Sequence, residues 1–293
     1  MSSKESFLQY LSGEKRYSRH TVRSYGDDLS QFILFCEAGG TEFESGDIKG
    51  QHIRRWIVSL LDSGVSASSV HRKISSLRSF FRYLRKEGKI STDPLERVVL
   101  PKKKKQLPEF IAEQSLDTLL DSFEFGSDFS GRRNKTAIEM LYLTGMRRSE
   151  LTGLRIQDYD EARGTIRVHG KRNKQRLIPL LDSFRSDLNL YLEQRREVES
   201  VGDWLFVTDK GNKLYDKFVY NIVRKYLAMV TTVEKRSPHV LRHSFATHML
   251  NHGADLSSIK ELLGHANLSA TQVYTHNTFE KLKKVYKQAH PRA

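Results

Sequence analysis

Apolar positions recur at helical spacing through most of the first hundred residues. Between Thr21 and Glu37, the residues Val22, Tyr25, Leu29, Phe32, Ile33 and Cys36 fall on one stripe of a 3.6-residue repeat, and Gly39-Gly40 ends it. Ile53, Trp56, Ile57, Leu60 and Leu61 form a second stripe. Gly64 suits the position just past its end, where a left-handed backbone is favoured. A third stripe starts at the capping serines around Ser66 to Ser68 and runs through Val70, Ile74, Leu77, Phe81 and Leu84. The opposite face of that helix carries Arg72, Lys73, Arg78, Arg82 and Arg85, with Ser68, Ser75, Ser76 and Ser79 between them. Such a face is either a solvated surface or a helix laid on DNA, where short hydroxyls allow close approach and arginines hold phosphates. The pattern leaves both readings open.

The periodicity stops at Pro101-Lys102-Lys103-Lys104-Lys105-Gln106-Leu107-Pro108. Four lysines repel one another between prolines that lack an amide donor, so the stretch reads as a basic linker rather than a compact element. A nuclear localisation signal is the rival reading. The expected organisation is a helical domain over 1–100, the linker 101–108 and a second domain over 109–293.

The second domain is mixed. Short helices are expected at Leu116 to Phe123, capped by Ser115, and at Thr136 to Leu143, ended by Gly145; another starts near Arg148. Thr165 to His169 and Arg176 to Leu180 carry alternating or β-branched residues around the polar turn Gly170-Lys171-Arg172-Asn173-Lys174-Gln175, which reads as a hairpin with a cationic tip. Later helices are expected at about Ser183 to Glu199, Lys217 to Val230, Pro238 to Asn251, Ser257 to Leu263 and Phe279 to Ala289. The fold class is therefore mainly α with a small β-hairpin or sheet in the C-terminal domain.

Composition narrows the partners. The chain has 293 residues, 38% of them hydrophobic, and no apolar run near the roughly 18 to 20 needed to cross a bilayer. The N-terminus lacks the apolar core of a secretory signal, and the single cysteine, Cys36, reads as a core thiol. A cytoplasmic protein without membrane contact is expected. Lys and Arg number 49 against 35 Asp and Glu, a formal charge of +14. Nucleic acid is the leading partner of so basic a chain, although ribosomal or membrane-surface proteins share the property.

The densest chemistry is Pro238-His239-Val240-Leu241-Arg242-His243-Ser244-Phe245-Ala246-Thr247-His248. With Ser237 as cap and Pro238 in the first helical position, His239 and Arg242 share a face in the first turns. An imidazole and a guanidinium at a helix N-terminus make a phosphate site. Zinc is the rival reading for the pairs His239/His243 and His248/His252. Arg242 would repel a dication and no carboxylate lies within the His239 to His248 run, so no metal and no cofactor are expected. His243, His248 and His252 read as packing or surface groups. Downstream come Leu262-Leu263-Gly264-His265-Ala266-Asn267 and Ser269-Ala270-Thr271-Gln272-Val273-Tyr274-Thr275-His276; upstream stands Thr144-Gly145-Met146-Arg147-Arg148-Ser149-Glu150-Leu151.

This ordered set, Arg147, Lys171, His239-x-x-Arg242, His265 and Tyr274, resembles the phage-integrase family of tyrosine recombinases, and within it the Xer type. The family pattern has arginine after Thr-Gly-hydrophobic, lysine on a hairpin tip, His-x-Leu-Arg-His, Leu-Gly-His, and tyrosine nine residues on. Glu150 matches an accessory acidic position. The resemblance extends into the N-terminal domain through Tyr25-x-x-Asp28-Leu29-x-x-Phe32. One departure is Arg172, where the Xer pattern has a second glycine; it leaves Lys174 as a rival to Lys171.

The resemblance implies a covalent mechanism. Tyr274 attacks a DNA phosphate, Arg147 and Arg242 clamp its nonbridging oxygens, and His239 and His265 add hydrogen bonds, one of them taking the phenolic proton. Lys171 protonates the leaving 5′-oxygen, and the 3′-phosphotyrosine conserves the bond energy without ATP. Arg72, Lys73, Arg78, Lys102, Lys103, Lys104, Lys105, Arg172 and Lys174 would bind duplex DNA. Four protomers, identical or of two kinds, would act on two DNA sites through a Holliday junction, with the final helix docked on a neighbour. A second Xer recombinase and a DNA translocase would be partners in resolving chromosome dimers at cell division. The alternatives are an integrase or transposase of a mobile element, or a type IB topoisomerase.

Overall fold

Three of the helices in the N-terminal unit begin at a serine, and the reason is local. Ser2, Ser18 and Ser66 each hold an extended backbone and accept a hydrogen bond from the amide three residues on, heading α1 (Ser3–Ser12), α2 (Arg19–Ala38) and α4 (Ala67–Lys86). Between them α3 (Gly50–Asp62) starts at Lys49, whose amide donates to His52 Nδ1 at 3.1 Å. In this computed structural model the chain divides into two units, Met1–Gln106 and Leu107–Ala293. The described residues are 2–41, 43, 48–103, 109–170, 174–264 and 276–293, without the side chains of 276–279 and 281. Lys104, Lys105, Lys171, Arg172, His265 and Tyr274 of the expected site and DNA-binding set lie outside them.

The apolar stripes converge on one core. Phe7, Leu29, Phe32, Ile53, Trp56, Val70, Ile74, Leu77 and Phe80 are buried together, and Cys36 lies among them. Lys73 departs from the expected DNA-facing surface. It is 8% exposed, and its ammonium donates to Asp28 at 3.2 Å and to Gln31. The physical reason is its phase: three after Val70 and four before Leu77, position 73 falls inside the apolar stripe. Asp28 also accepts from Arg72 Nη2 at 2.8 Å and Ser76 Oγ at 2.8 Å. Arg78, Arg82 and Arg85 remain exposed.

In the second unit, α5 (Glu113–Asp117) starts earlier than expected, at Ala112, and runs into a π-helical turn, Thr118–Ser122. Ser115 therefore sits inside the helix and does not cap it. α6 (Phe129–Thr144) also starts earlier than its apolar pattern, at Asp128, whose carboxylate accepts from the Gly131 amide at 3.0 Å. From Thr136 to Thr144 every residue of α6 is buried, so it is the central helix of this unit. It ends at Gly145, whose φ is +57° and where a Cβ would come within 2.5 Å of Phe245.

A short α7 (Arg148–Leu151) leads to an antiparallel sheet of β1 (Tyr159–Asp160), β2 (Thr165–His169) and β3 (Gln175–Pro179), in that order. The hairpin was expected, and the two-residue β1 was not. The register sets Ile166 opposite Ile178 and Val168 opposite Arg176. Then follow α8 (Asp182–Glu197), α9 (Asp216–Val230), α10 (Pro238–Asn251), α11 (Leu256–Leu263) and α12 (His276–Ala289). α12 packs within its own unit: Leu282, Tyr286 and Ala289 are buried, and the Tyr286 hydroxyl donates to the Leu143 carbonyl at 3.0 Å. That inner face is thus occupied within the same chain. Among the described residues no helix is long and apolar enough to cross a membrane.

Candidate active site

Three helix ends meet here: the start of α10 and the C-terminal ends of α6 and α11. Pro238 occupies the first position of that helix, after an extended Ser237. Ser237 makes no side-chain capping bond, contrary to expectation. His239 is exposed, and Arg242 is half-buried one turn on. The Arg242 guanidinium donates from Nη1 to the Gly145 carbonyl at 2.6 Å and from Nη2 to the Leu263 carbonyl at 2.8 Å. Gly145 and Leu263 close α6 and α11, and Gly145 and Gly264 take left-handed conformations at those ends. One cation thus satisfies orphan carbonyls at the negative ends of two helices. Burial, and then the nearby Arg147 charge, bring the Arg242 guanidinium down to about 10. It is still protonated at neutral pH.

Arg147 is held from below. It caps α7 in extended conformation, with its amide donating to Glu150 Oε2 and its Nη1 to Glu150 Oε1, both at 2.8 Å. Glu150 is buried and receives a second guanidinium, Arg176, through Nη1 at 3.1 Å and Nη2 at 2.9 Å. Burial alone would raise the Glu150 carboxyl. The hydrogen bond and charge of Arg176, then the amide and side chain of Arg147, outweigh it and hold the group below the ordinary carboxylate range. Glu150 is therefore ionised and fixes Arg147 by two bonds.

The structure brings Arg147, Glu150, Arg242 and His239 to one corner. Lys171, His265 and Tyr274 lie outside the described residues, but their flanks are described: the Gly170 amide donates to the Lys174 carbonyl at 2.7 Å, closing the strand pair below the hairpin tip. Lys174 is exposed there. Arg176 was missed in the sequence. The available signal was its place one step from Ile178 on the inward face of a strand, where an arginine needs a buried partner. A groove of about 600 Å³ opens beside His239, lined also by Arg148, Tyr220, Arg224, Lys235 and Arg236. Its cations were not singled out from the sequence either. His248 is buried and pairs through Nδ1 with the Tyr142 hydroxyl at 2.9 Å, the packing role expected of it.

Guanidinium groups fixed by buried acceptors, at a helix N-terminus and beside a basic groove, suit an anionic diester whose negative charge grows during reaction. Fold and site define a protein of two units, a helical one and an α+β one, whose fixed guanidiniums suit a phosphate diester. Comparison with known proteins makes the class specific. The phage integrase family matches residues 109–281, and the phage integrase N-terminal SAM-like domain matches residues 5–88. Tyrosine recombinase XerC of Chlorobaculum tepidum is 38% identical, over 98% of this chain and 94% of that protein. Tyrosine recombinase XerC of Bacillus subtilis is 38% identical, over 98% of this chain and 95% of its own. The crystal structure of the XerH site-specific recombinase bound to its difH substrate, a pre-cleavage complex, is 27% identical, covers 97% of this chain and 84% of that one, and has a TM-score of 0.70. The chain belongs to the phage integrase family: it is a site-specific recombinase of the tyrosine class.

Proposed function

We propose that this recombinase cuts and rejoins duplex DNA through a 3′-phosphotyrosine on Tyr274, and that it resolves chromosome dimers in the cytoplasm of dividing cells. The observation that carries the reading is the pair Arg147 and Arg242, each held in place by buried acceptors, at the helix start that also bears His239. Two planar guanidiniums held this way bind nonbridging phosphate oxygens with little reorganisation as charge builds up. His239 and His265 add hydrogen bonds, and one of them accepts the Tyr274 proton. Lys171 on the hairpin protonates the 5′-oxygen as it leaves. A 5′-hydroxyl from another strand then attacks the phosphotyrosine and releases the enzyme, so neither ATP nor a metal enters the balance.

Near full-length similarity to XerC proteins supports the chromosomal role over a mobile element. Four protomers on two sites, exchanging strands in pairs through a Holliday junction, is the matching assembly, with a second recombinase and a DNA translocase as partners. The exposed Arg78, Lys102, Lys103 and Lys174, the half-exposed Arg72, and Lys104, Lys105 and Arg172 would hold DNA phosphates. Tyr274→Phe is expected to bind a nicked duplex carrying the host chromosome-terminus site as tightly as the parent protein and to form no covalent complex. An adduct in that variant would assign the nucleophile elsewhere. Relaxation of supercoils without exchange between labelled duplexes would point to a topoisomerase.

A further inference from the structure

Arg176 belongs to none of the residues to which the proposed chemistry gives a role, yet it is bonded to the carboxylate that anchors Arg147 and packed beside the glycines that precede Lys171 and His265. It is 7% exposed and points inward from β3 beside Ile178. Its Nε donates to the Leu262 carbonyl at 2.7 Å, and both Nη atoms donate to Glu150. Glu150 in turn grips Arg147. A Cβ on Gly264 would lie 3.1 Å from Arg176 Nη1, and one on Gly170 would lie 3.9 Å from it. The guanidinium is therefore packed against the residue before Lys171 and the residue before His265, and it is bonded to the carboxylate that holds Arg147.

Stability is a weak reason for such a cluster. A buried ion pair usually adds little over apolar residues of the same volume. What three directed bonds from a rigid planar fork do provide is geometry, and a lysine cannot reproduce them. We propose that Arg176 is a positioning residue for strand cleavage, setting Arg147, the foot of the Lys171 hairpin and the end of α11 in one constellation. The proposal rests on the phosphotyrosine reading given above. It also accounts for glycine at position 264: besides the left-handed turn, a side chain there would press on this guanidinium.

The test uses the full-length protein and the nicked duplex on which the parent protein forms its adduct. Arg176→Lys retains the charge and loses the fork. It is expected to bind that DNA within about threefold of the parent, while the adduct rate at saturating DNA falls about 100-fold, the loss that a displacement near 1 Å commonly produces. The paired variant Glu150→Gln with Arg176→Met removes both buried charges and keeps the volumes. It is expected to melt near the parent temperature and to remain slow in cleavage. Parent-like cleavage by Arg176→Lys overturns the proposal. So does a return of the full rate in the paired variant together with its stability, because that marks Arg176 as a fold element alone. If Arg176→Lys does not fold, the paired variant is read against Glu150→Gln alone, and equal cleavage rates in those two overturn the proposal. If the parent protein itself forms no adduct, the phosphotyrosine reading fails first.

Discussion

Glu150 and Glu139 are both buried in the catalytic unit, 6% and 4% exposed, and they are driven in opposite directions. Glu150 has four donors: the Arg147 amide, the Arg147 side chain and two nitrogens of Arg176. It stays ionised below the usual range. Glu139, in the middle of α6, has Arg292 Nη2 4.0 Å from Oε1, and its Oε2 has no hydrogen-bond partner. Its nearest lysine in sequence, Lys135, is committed to Asp187 at 2.8 Å. Burial, and then the Asp187 charge, push Glu139 up to about 7. Both are buried, and cations stand near both. The difference lies in directed donors: a buried carboxylate remains charged where hydrogen bonds replace its water, and not where a cation is merely close.

The comparison breaks most severely at Glu150→Ala. That change strands the buried Arg176, and breaking a buried pair from one side costs about 3–5 kcal/mol. Urea unfolding at pH 7 is expected to show a loss of this size, and strand cleavage should fall with it as Arg147 loses its anchor. Glu150 is depressed when folded, so its contribution is present above the unfolded carboxylate value. It is lost as pH falls through the folded one. The gap between parent and variant should therefore narrow in acid. A loss under about 1 kcal/mol at pH 7 would mean that the donor set does not hold Glu150 as argued.

Asp28 sharpens the same point in the other unit. At 1% exposure it accepts from Arg72, Lys73 and Ser76, the same saturation with a different consequence, since it ties α2 to α4. Asp28→Asn leaves the buried Lys73 without its counter-charge and is expected to cost about 2 kcal/mol. Hydrogen exchange read on α2 and α4 measures it. Adding Lys73→Met should recover most of the loss; no recovery would place the cost in Arg72 instead.

What was legible in the chain follows from how local each feature is. Amphipathic α2, α3 and α4 show their stripes, and His239 with Arg242 is an i, i+3 pair on one helix, readable without any fold. α6 was half-read because its first two turns, Phe129 to Lys135, are mostly polar and part-buried and carry no apolar stripe, so its start at Asp128 was invisible to periodicity. Lys73 was assigned to the surface by residue type although its phase puts it with Val70 and Leu77. Arg176 and Glu150 are 26 positions apart, and Arg242 reaches Gly145 across 97. Such pairings depend on tertiary closure, which no window of the sequence contains. Family spacing, not physics, singled out Lys171, His265 and Tyr274, and these lie outside the described residues.

The smallest effect is the most discriminating, because it reverses sign. If Glu139 is buried with too few donors, Glu139→Gln should stabilise the protein, where Glu150→Ala and Asp28→Asn destabilise it. The folded carboxyl titrates near 7 against an ordinary glutamate value of 4.5, so the folded state gains nothing from it in acid and is penalised as pH rises. Below about pH 4.5 both states hold the proton, and glutamine, itself neutral, should match the parent. Through pH 5 to 8 the unfolded glutamate ionises freely while the folded one resists. The variant should then pull ahead by about 1–2 kcal/mol, less than the whole shift implies because Arg292 can close on the ionised group. Urea unfolding of both proteins at pH 4.5, 6 and 8 reads this directly. A difference that is flat with pH would show that glutamine acts by packing alone. A variant less stable at pH 8 would show that Arg292 already pairs with Glu139 well enough to repay its burial, and the contrast with Glu150 would then be one of degree.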